Sequence, residues 1–283
     1  MKDDDVQQSL DLLSSHEMFL GLHEAKTWIQ VDPEGLLVAE DLETGCIIGI
    51  ISGNNYDEHN CFISIFAVKE EHRLNGIGSA LWNALMQHCG NRNLGLNPRP
   101  AMIPSYTKRG LTLKSPYDQK IYVGHPQLGQ PSATLIEEVI VEKINKENIK
   151  EIDKYDKSVC GIERFKYNWL NANEPETKAF VALSKATNKV LGYCIFKKGN
   201  LCRTFSPIYA DSDEIAELLI SKCEIPEDEK VMMATLGLSP NLEFMEKLQM
   251  KLYLTQSTLF SNAIRITNLE RVYSLSSVNF FPF

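Results

Sequence analysis

The pattern of apolar and polar residues predicts three successive β-strands in the first quarter of the chain. An apolar run covers residues 35–40, and turn-forming residues separate it from a second run at residues 46–51. Two strand-type runs joined by such a turn are typical of a β-hairpin. A third apolar run extends from Cys61 to Val68 after a polar loop at residues 53–60. We therefore expect a hairpin followed by a third strand.

A glycine-bearing loop follows the third strand and opens a predicted helix. The segment 73–78 has glycine at positions 76 and 78, and apolar residues then recur with helical spacing at Leu81, Trp82, Leu85 and Met86. The free N–H groups of such a loop and of the helix N-terminus favour binding of an anion, most naturally a phosphate. Glycine permits the tight turn and the close approach of a ligand. Arg73 adds a positive charge suited to phosphate oxygens.

Two common phosphate-binding motifs do not fit this loop. A P-loop requires lysine and then serine or threonine after its last glycine, whereas Gly78 is followed by Ser79 and Ala80. A dinucleotide-binding fingerprint requires a third glycine, whereas position 81 is leucine. It also requires an acidic residue after the next strand, and the short strand predicted at residues 94–96 is followed by Asn97.

The loop and its context resemble another family. The spacing Arg-x-x-Gly-x-Gly is similar to the pyrophosphate loop of the GNAT acyltransferases, which bind acyl-coenzyme A. The order of hairpin, strand, glycine loop, helix and short strand, followed by the segment 103–111 with Tyr106 and Gly110, resembles the GNAT order over roughly residues 30–125. The resemblance implies an α/β (α+β) fold with a mixed sheet and flanking helices.

The same resemblance implies a set of site residues. The strand that carries Cys61–Val68 matches the GNAT strand that pairs with the pantetheine arm, and an N–H near Ala67 or Val68 would polarise the thioester carbonyl. Tyr106 matches the tyrosine that protonates the leaving thiolate. The residues expected to bind the cofactor are Phe66, Ala67, Val68, Arg73, Leu74, Asn75, Gly76, Ile77, Gly78 and Ser79.

A general base is harder to identify. Many GNAT relatives place a glutamate on the third strand, but residues 62–65 offer no carboxylate. Asp57, Glu58 and an ordered water held by Asn97 are the alternatives, and Asn97 is counted with Tyr106 as a catalytic residue.

The remainder of the chain resembles a second, degenerate GNAT copy, so we expect two domains in tandem, at residues 1–133 and 134–283. The predicted elements are a strand at 134–144, a helix at 145–155 capped by Asn145, a helix near 164–170, a hairpin at 180–183 and 190–196, a helix containing Asn241, Phe244 and Met245, and closing strands within 254–266. The segment 205–212 stands where the glycine loop would be and leads into a helix at about Asp213. Because Pro207 lacks an N–H and Asp211 and Asp213 would repel phosphate, this half is expected not to bind coenzyme A.

Composition limits the possible environments. The chain has 283 residues, 43% of them hydrophobic, which is enough for two cores. It contains no run of 18 apolar residues, and its acidic N-terminus lacks the pattern of a signal peptide. Seven cysteines without a Cys-x-x-Cys pair indicate free thiols in a reducing compartment. We therefore expect a cytoplasmic protein with no membrane partner and no metal.

With a net charge of −8 the chain is expected to bind nucleic acids poorly, because it would repel their phosphates. The acidic excess either suits a cationic amine or is only solvated surface. The favoured function is an N-acyltransferase that uses acetyl-CoA, or another acyl-CoA, and a small amine acceptor. The alternatives are a non-catalytic acyl-CoA-binding or sensing protein and a protein-interaction module without a ligand. The intact glycine loop argues against the interaction module.

Overall fold

The computed structural model describes residues 1, 5–16, 18–237, 239–265 and 268–277. The helices are α1 (Val6–Ser15), α2 (Glu24–Val31), α3 (Ile77–Cys89), α4 (Ile103–Thr107), α5 (Ala133–Glu138), α6 (Ile149–Cys160), α7 (Phe165–Ala172), α8 (Asp213–Ser221) and α9 (Ser239–Lys247). The strands are β1 (Leu36–Glu40), β2 (Ile47–Asn55), β3 (Asn60–Val68), β4 (Asn93–Leu96), β5 (Leu113–Lys114), β6 (Gln119–Gly124), β7 (Val139–Lys143), β8 (Lys178–Ser184), β9 (Val190–Lys198), β10 (Arg203–Ala210), β11 (Val231–Leu236), β12 (Lys251–Gln256), β13 (Leu259–Phe260) and β14 (Val272–Ser274).

The strands form two mixed sheets, which confirms the predicted α/β class. The first sheet has the order β1-β2-β3-β4-β13-β5, and the second has the order β12-β6-β11-β10-β9-β8-β7 with β14 paired to β10. Each sheet contains one parallel pair, β3 with β4 and β10 with β11, among antiparallel neighbours. Buried apolar clusters lie on both faces of each sheet, so helices cover both layers.

The two sheets exchange strands across the expected boundary at residue 133. Strand β6 precedes that residue but lies in the second sheet between β12 and β11. Strand β13 follows it but lies in the first sheet between β4 and β5. A cut at residue 133 would therefore remove one strand from each sheet. The division into 1–133 and 134–283 remains a proposal about the two halves of the sequence.

Two helices near the N-terminus, which the sequence pattern did not predict, join the halves. Helix α1 buries Val6, Leu10 and Leu13, and α2 buries Trp28 completely. The Trp28 ring stacks on Tyr167 of α7, with ring centroids 4.7 Å apart. The N-terminal segment thus packs against the second half as well as the first.

A buried ion network connects the same elements. Lys197 on β9 is 1% exposed, and its Nζ lies 2.6 Å from Asn171 Oδ1 and 3.2 Å from Glu174 Oε2. Thr27 of α2 donates to Glu174 Oε1 at 2.6 Å. Burial raises the pKa of Glu24, also on α2, and the nearby Lys197 opposes that rise. Lys197 therefore pairs with one buried carboxylate, Glu174 of the second half, and its charge also acts on a second, Glu24 of the first half.

Three details of the second half differ from the sequence prediction. The predicted strand at 134–144 is helix α5 followed by the shorter β7, because Ser132 caps the helix by accepting the Leu135 N–H. Helix α6 begins at Ile149 with Asn148 as its N-cap, and the Asn145 side chain instead accepts the Glu147 N–H in the turn before it. Residues 205–210 belong to strand β10 rather than to a loop.

The closing strands of the second half also separate. Strand β12 completes the second sheet, whereas β13 joins the first. Ile266, the last residue of the predicted closing segment, lies outside the described residues. In the part of the chain that is described, no helix combines the length and apolar character needed to cross a bilayer.

Candidate active site

A cleft of about 500 Å³ lies between the two sheets. Its walls come from the end of α1, from β3, from the segment after β4, and from β6 and β12 of the second sheet. The lining residues are His16, Met18, Phe19, Phe62, Ile63, Ser64, Phe66, Ala67, Val68, Arg73, Asn97, Pro98, Arg99, Met102, Tyr106, Ile121, Leu254 and Gln256. Both halves of the sequence therefore build this cleft.

Strands β3 and β4 separate where the cleft begins. They pair in parallel only from Asn60 to Phe62, opposite residues 93–95. From Ile63 to Val68, β3 pairs with β2 on its other side, and within the described residues no strand pairs with the edge that faces β4. An open strand edge of this kind offers backbone N–H and C=O groups to an extended ligand.

A β-bulge shapes β3 within this open stretch. Ile51 of β2 pairs with Phe66 and Gly53 pairs with Ile63, so β3 carries one more residue than its partner. The Ile65 N–H is satisfied by Ser52 Oγ at 3.1 Å. Because the extra residue reverses the side-chain alternation, Ile63 packs with α3 whereas Ile65 packs with α1 and α2.

After the bulge, successive backbone N–H groups of β3 again point alternately to β2 and to the open edge. The Lys69 N–H donates to Ile48 of β2 at 2.9 Å. Since successive N–H groups of a strand point to opposite edges, the N–H of Val68 points to the open edge and that of Ala67 to β2. Of the two residues expected to polarise a carbonyl, the geometry favours Val68.

The glycine loop follows directly from this strand end. Arg73, Leu74, Asn75 and Gly76 are exposed, and Gly76 has a φ of +83°, which glycine adopts without strain. The Ala80 N–H is bonded to the Gly76 carbonyl at 3.0 Å, so the preceding N–H groups belong to the open first turn of α3. A Cβ at Gly78 would lie 3.4 Å from the Phe66 ring.

The predicted cofactor residues therefore divide into two groups. Phe66, Ala67, Val68 and Arg73 line the cleft itself. Leu74 to Ser79 form the loop and helix start beside it, rather than its walls. This arrangement matches an extended ligand with an anionic end at the loop, and the ligand roles of these residues remain predictions.

Tyr106 of α4 lies in the wall of the cleft, as expected for a proton donor. It is 9% exposed, and its ring packs against Trp82 with centroids 5.8 Å apart. Burial raises the pKa of Tyr106, opposed by the nearby Arg109. Its hydroxyl therefore stays protonated through the neutral range and can donate a proton.

Two polar oxygens in the cleft have no hydrogen-bond partner among the described residues. Asn97 Oδ1 and Ser64 Oγ are both buried, and both residues line the cleft. Buried polar atoms are rarely left unsatisfied, because each costs about 1–3 kcal/mol. These oxygens are therefore available to accept hydrogen bonds from a ligand.

Positive side chains surround His16 at the mouth of the cleft. His16 Nδ1 lies 2.8 Å from the Leu12 carbonyl, which requires a proton on that nitrogen. Arg73 Nη2 lies 2.7 Å from His16 Nε2, and Arg73 Nε donates to the Val68 carbonyl at 3.1 Å. Arg99 donates to the His16 carbonyl. The lone pair of Nε2 is thus already engaged by a guanidinium.

The candidate bases Asp57 and Glu58 lie outside the cleft. Asp57 accepts the N–H groups of His59 and Asn60, each at 2.8 Å, and so fixes the turn before β3. Among the described residues that line the cleft, none is a carboxylate.

The corresponding segment of the second half is arranged differently. Ser212 caps α8, and the helix begins with Asp213 and Glu214, so acidic groups occupy its first turn. Asp211 accepts from Tyr155 at 2.8 Å and lies 3.3 Å from Arg271 Nε. These acidic residues support the expectation that this half does not bind coenzyme A.

Sequence reasoning missed most of the cleft wall. His16, Phe19, Arg99, Ile121, Leu254 and Gln256 carry no motif, and the last two are more than 180 residues from β3 in sequence. Only the topology, in which β6 and β12 are neighbours, brings them to this place.

Two family models match the chain. One, described as "Acetyltransferase (GNAT) family", matches residues 7–111. The other, described as "Acetyltransferase (GNAT) domain", matches residues 152–273. There is thus one match in each half, and together they cover most of the chain.

Two curated proteins are similar in sequence. An uncharacterized protein from Caenorhabditis elegans is 25% identical over 203 residues, which cover 63% of this chain and 57% of that protein. Holothin acyltransferase from Pseudoalteromonas sp. (strain SANK 73390) is 21% identical over 216 residues, which cover 75% of this chain and 69% of that protein. The alignment with the first relative thus spans little more than half of its length.

Solved structures show the same fold. A putative acetyltransferase from Pyrococcus horikoshii superposes with a TM-score of 0.74 at 14% identity, covering 99% of this chain and 94% of that one. A tandem GNAT protein from the clavulanic acid biosynthesis pathway gives a TM-score of 0.58 at 16% identity, covering 94% and 97%. The family matches support an acyltransferase function. The chain is a tandem member of the GNAT acetyltransferase superfamily.

Proposed function

We propose that this protein is an N-acyltransferase that moves an acetyl or other acyl group from acyl-CoA to the amine of a small molecule. The observation that carries the proposal is the open edge of β3 between Ile63 and Val68, which ends at the glycine loop of α3. The edge suits an extended pantetheine arm, and the loop suits its pyrophosphate.

The first half would hold the donor. The exposed N–H groups at the start of α3 and the Arg73 guanidinium would bind the phosphates, with Arg73 using Nη1 while its Nε and Nη2 keep their bonds to Val68 and His16. The thioester would then lie near Val68, whose N–H points to the open edge and can bind the carbonyl oxygen as negative charge develops.

The reaction is a simple acyl transfer. The amine nitrogen attacks the thioester carbonyl carbon, so a C–N bond forms and the C–S bond breaks. Tyr106 donates its proton to the departing thiolate and recovers a proton from the amine through solvent. The products are an amide and free coenzyme A, and atoms and charge balance without a further reactant.

Substitution of Gly78 by glutamate tests donor binding. The side chain would enter the space beside Phe66 and place a negative charge at the start of α3. We expect at least a ~10-fold loss of acetyl-CoA affinity by calorimetry, since each charge-assisted bond to phosphate contributes about 1.5–3 kcal/mol. The control Asn83→Glu adds the same charge at an exposed position on the same helix and should bind normally. Equal affinity in both folded variants would refute the loop assignment.

One observation favours a second candidate, a protein that binds acyl-CoA without turning it over. The described lining of the cleft holds no carboxylate, and His16 Nε2 is engaged by Arg73. Acetyl-CoA binding without acyl transfer to a wide panel of amines would favour this sensing role. Transfer to any amine would establish the enzyme.

A further inference from the structure

We propose that the acceptor is an aromatic amine that is weakly basic and therefore uncharged at neutral pH. This inference rests on the proposed acyl transfer and concerns the same cleft. Three features carry it: an apolar acceptor wall to which both halves contribute, a cationic side chain at the cleft with no carboxylate in the described lining, and a lining in which no described group is free to act as a base.

The cleft has two sides, and the acceptor side can be recognised from its neighbours. Phe66, Val68 and Tyr106 pack with the core under α3, next to the glycine loop. Met18 packs with α1 and α2, while Phe19 and Ile121 pack with the core of the second sheet. With the donor entering beside α3, the acceptor must approach from the side of Met18 and the second sheet.

The acceptor side is apolar and partly aromatic. It presents Met18, Phe19, Phe62, Ile121 and Leu254. Side chains of this kind stabilise a flat apolar group, because aromatic pairs add to the free energy of burial. Gln256 and Ser64 provide the polar groups of this wall.

The charges near this side disfavour a cation. Arg99 lines the cleft while Arg73 serves the donor phosphates, and the described lining contains no carboxylate to pair with an ammonium group. Moving an ammonium ion from water into such a site would cost free energy that no counter-ion offsets. The acidic excess of the whole chain is therefore not repeated at this wall.

The absence of a free base in the described lining points the same way. An alkylamine with a pKa near that of lysine is unprotonated in only roughly one molecule in 10³ at neutral pH, and needs a base before it can attack. A weakly basic aromatic amine already carries a free lone pair. In this proposal its two N–H groups donate to Asn97 Oδ1 and Ser64 Oγ, the buried oxygens of the cleft that have no hydrogen-bond partner, and so orient that lone pair toward the thioester.

A pair of isomeric amines tests the inference directly. Para-toluidine and benzylamine have the same atoms, but only the first is mostly uncharged at neutral pH. With acetyl-CoA at neutral pH we expect kcat/KM to be at least ~10-fold higher for para-toluidine, with a rate that is flat between about pH 6.5 and 8.5. An equal or higher kcat/KM for benzylamine would overturn the inference.

A charge placed in the acceptor wall provides a second, independent readout. Leu254 is half-buried in the wall, whereas Leu252 on the same strand is 53% exposed and lies outside the lining. We expect Leu254→Asp to lower kcat/KM for para-toluidine at least ~10-fold. The kcat/KM for benzylamine should stay the same or rise, because the new carboxylate can pair with its ammonium group. Leu252→Asp should change neither. The same loss for both amines in Leu254→Asp would contradict a wall that discriminates by charge.

Two further variants ask whether a hidden base exists. His16→Asn removes the imidazole, and Glu17→Gln removes the carboxylate that follows it in sequence and lies outside the described residues. We expect each to retain at least about one-third of kcat with para-toluidine. A loss above ~100-fold in either, with acetyl-CoA binding retained, would identify a base and overturn the inference. Failure of acetyl-CoA to bind the unmodified chain would instead refute the proposed function itself.

Discussion

The buried ion network around Lys197 makes a strong prediction about stability. Lys197→Met keeps most of the side-chain volume and removes only the charge. It leaves Glu174, which is 8% exposed, without its paired cation, and it removes the positive charge that opposes the raised pKa of Glu24, which is 2% exposed. Breaking a buried pair in this way costs about 3–5 kcal/mol, because an uncompensated charge remains in a medium of low polarity.

The next residue along the strand is a matched control. Lys198 carries the same side chain, but 48% of it is exposed, and its ion pair with Glu176 spans 3.7 Å at the surface. Lys198→Met should therefore cost no more than about 1 kcal/mol. Equilibrium urea unfolding of the whole chain measures both free energies of unfolding.

The pH dependence of the stability lost in Lys197→Met can refute this reasoning. Burial already raises the pKa of Glu24, and removing Lys197 removes the interaction that opposes that rise. A raised folded-state pKa gives stability that is present at low pH and lost as the pH rises. The deficit of Lys197→Met should therefore be smaller at about pH 5 than at about pH 8. Equal losses in the two variants, or a deficit independent of pH, would show that the network carries no net charge interaction.

Three further predictions concern the proposed site. Tyr106→Phe should preserve acetyl-CoA affinity while turnover falls by about 10²–10⁴-fold, and unchanged turnover would return Tyr106 to a packing role. Because burial raises the pKa of Tyr106, the high-pH limb of kcat in the unmodified chain should begin only above about pH 10, and a limb near neutrality would exclude it as the proton donor. Calorimetry should find one acetyl-CoA bound per chain, because acidic groups occupy the first turn of α8. If two sites are found, and one of them still binds in the Gly78→Glu variant, the second half also binds acetyl-CoA.

Local chemistry made the elements of the proposed donor side predictable from sequence. The strand before the loop, the positions of Gly76 and Gly78, and the helix from Ile77 are all set by neighbours in sequence, and the structure confirms the elements. The same reasoning found Tyr106, because its segment follows β4 closely. Phosphate-binding loops are readable in this way since their geometry needs particular residues at fixed spacing.

The proposed acceptor side was not predictable, because nothing local encodes it. Ile121 and Leu254 are ordinary strand residues, and they reach the cleft only because β6 pairs with β12. Short-range signals also misled at α5, where the alternation of residues 134–144 predicted a strand and the Ser132 cap produced a helix. In both cases the observed structure depends on a contact that cannot be read from the periodicity of apolar residues.

The exchange of strands explains how two similar halves come to form one site. With β6 in the second sheet and β13 in the first, neither half can complete its sheet alone. The buried Lys197 network and the stacking of Trp28 on Tyr167 then fix the halves against each other. The second half has acidic residues where a phosphate loop would be, yet it supplies Leu254 and Gln256 to the cleft and would thus complete the proposed acceptor wall. The contribution of each half is therefore measured by point substitutions in the whole chain, since a fragment would lose a strand.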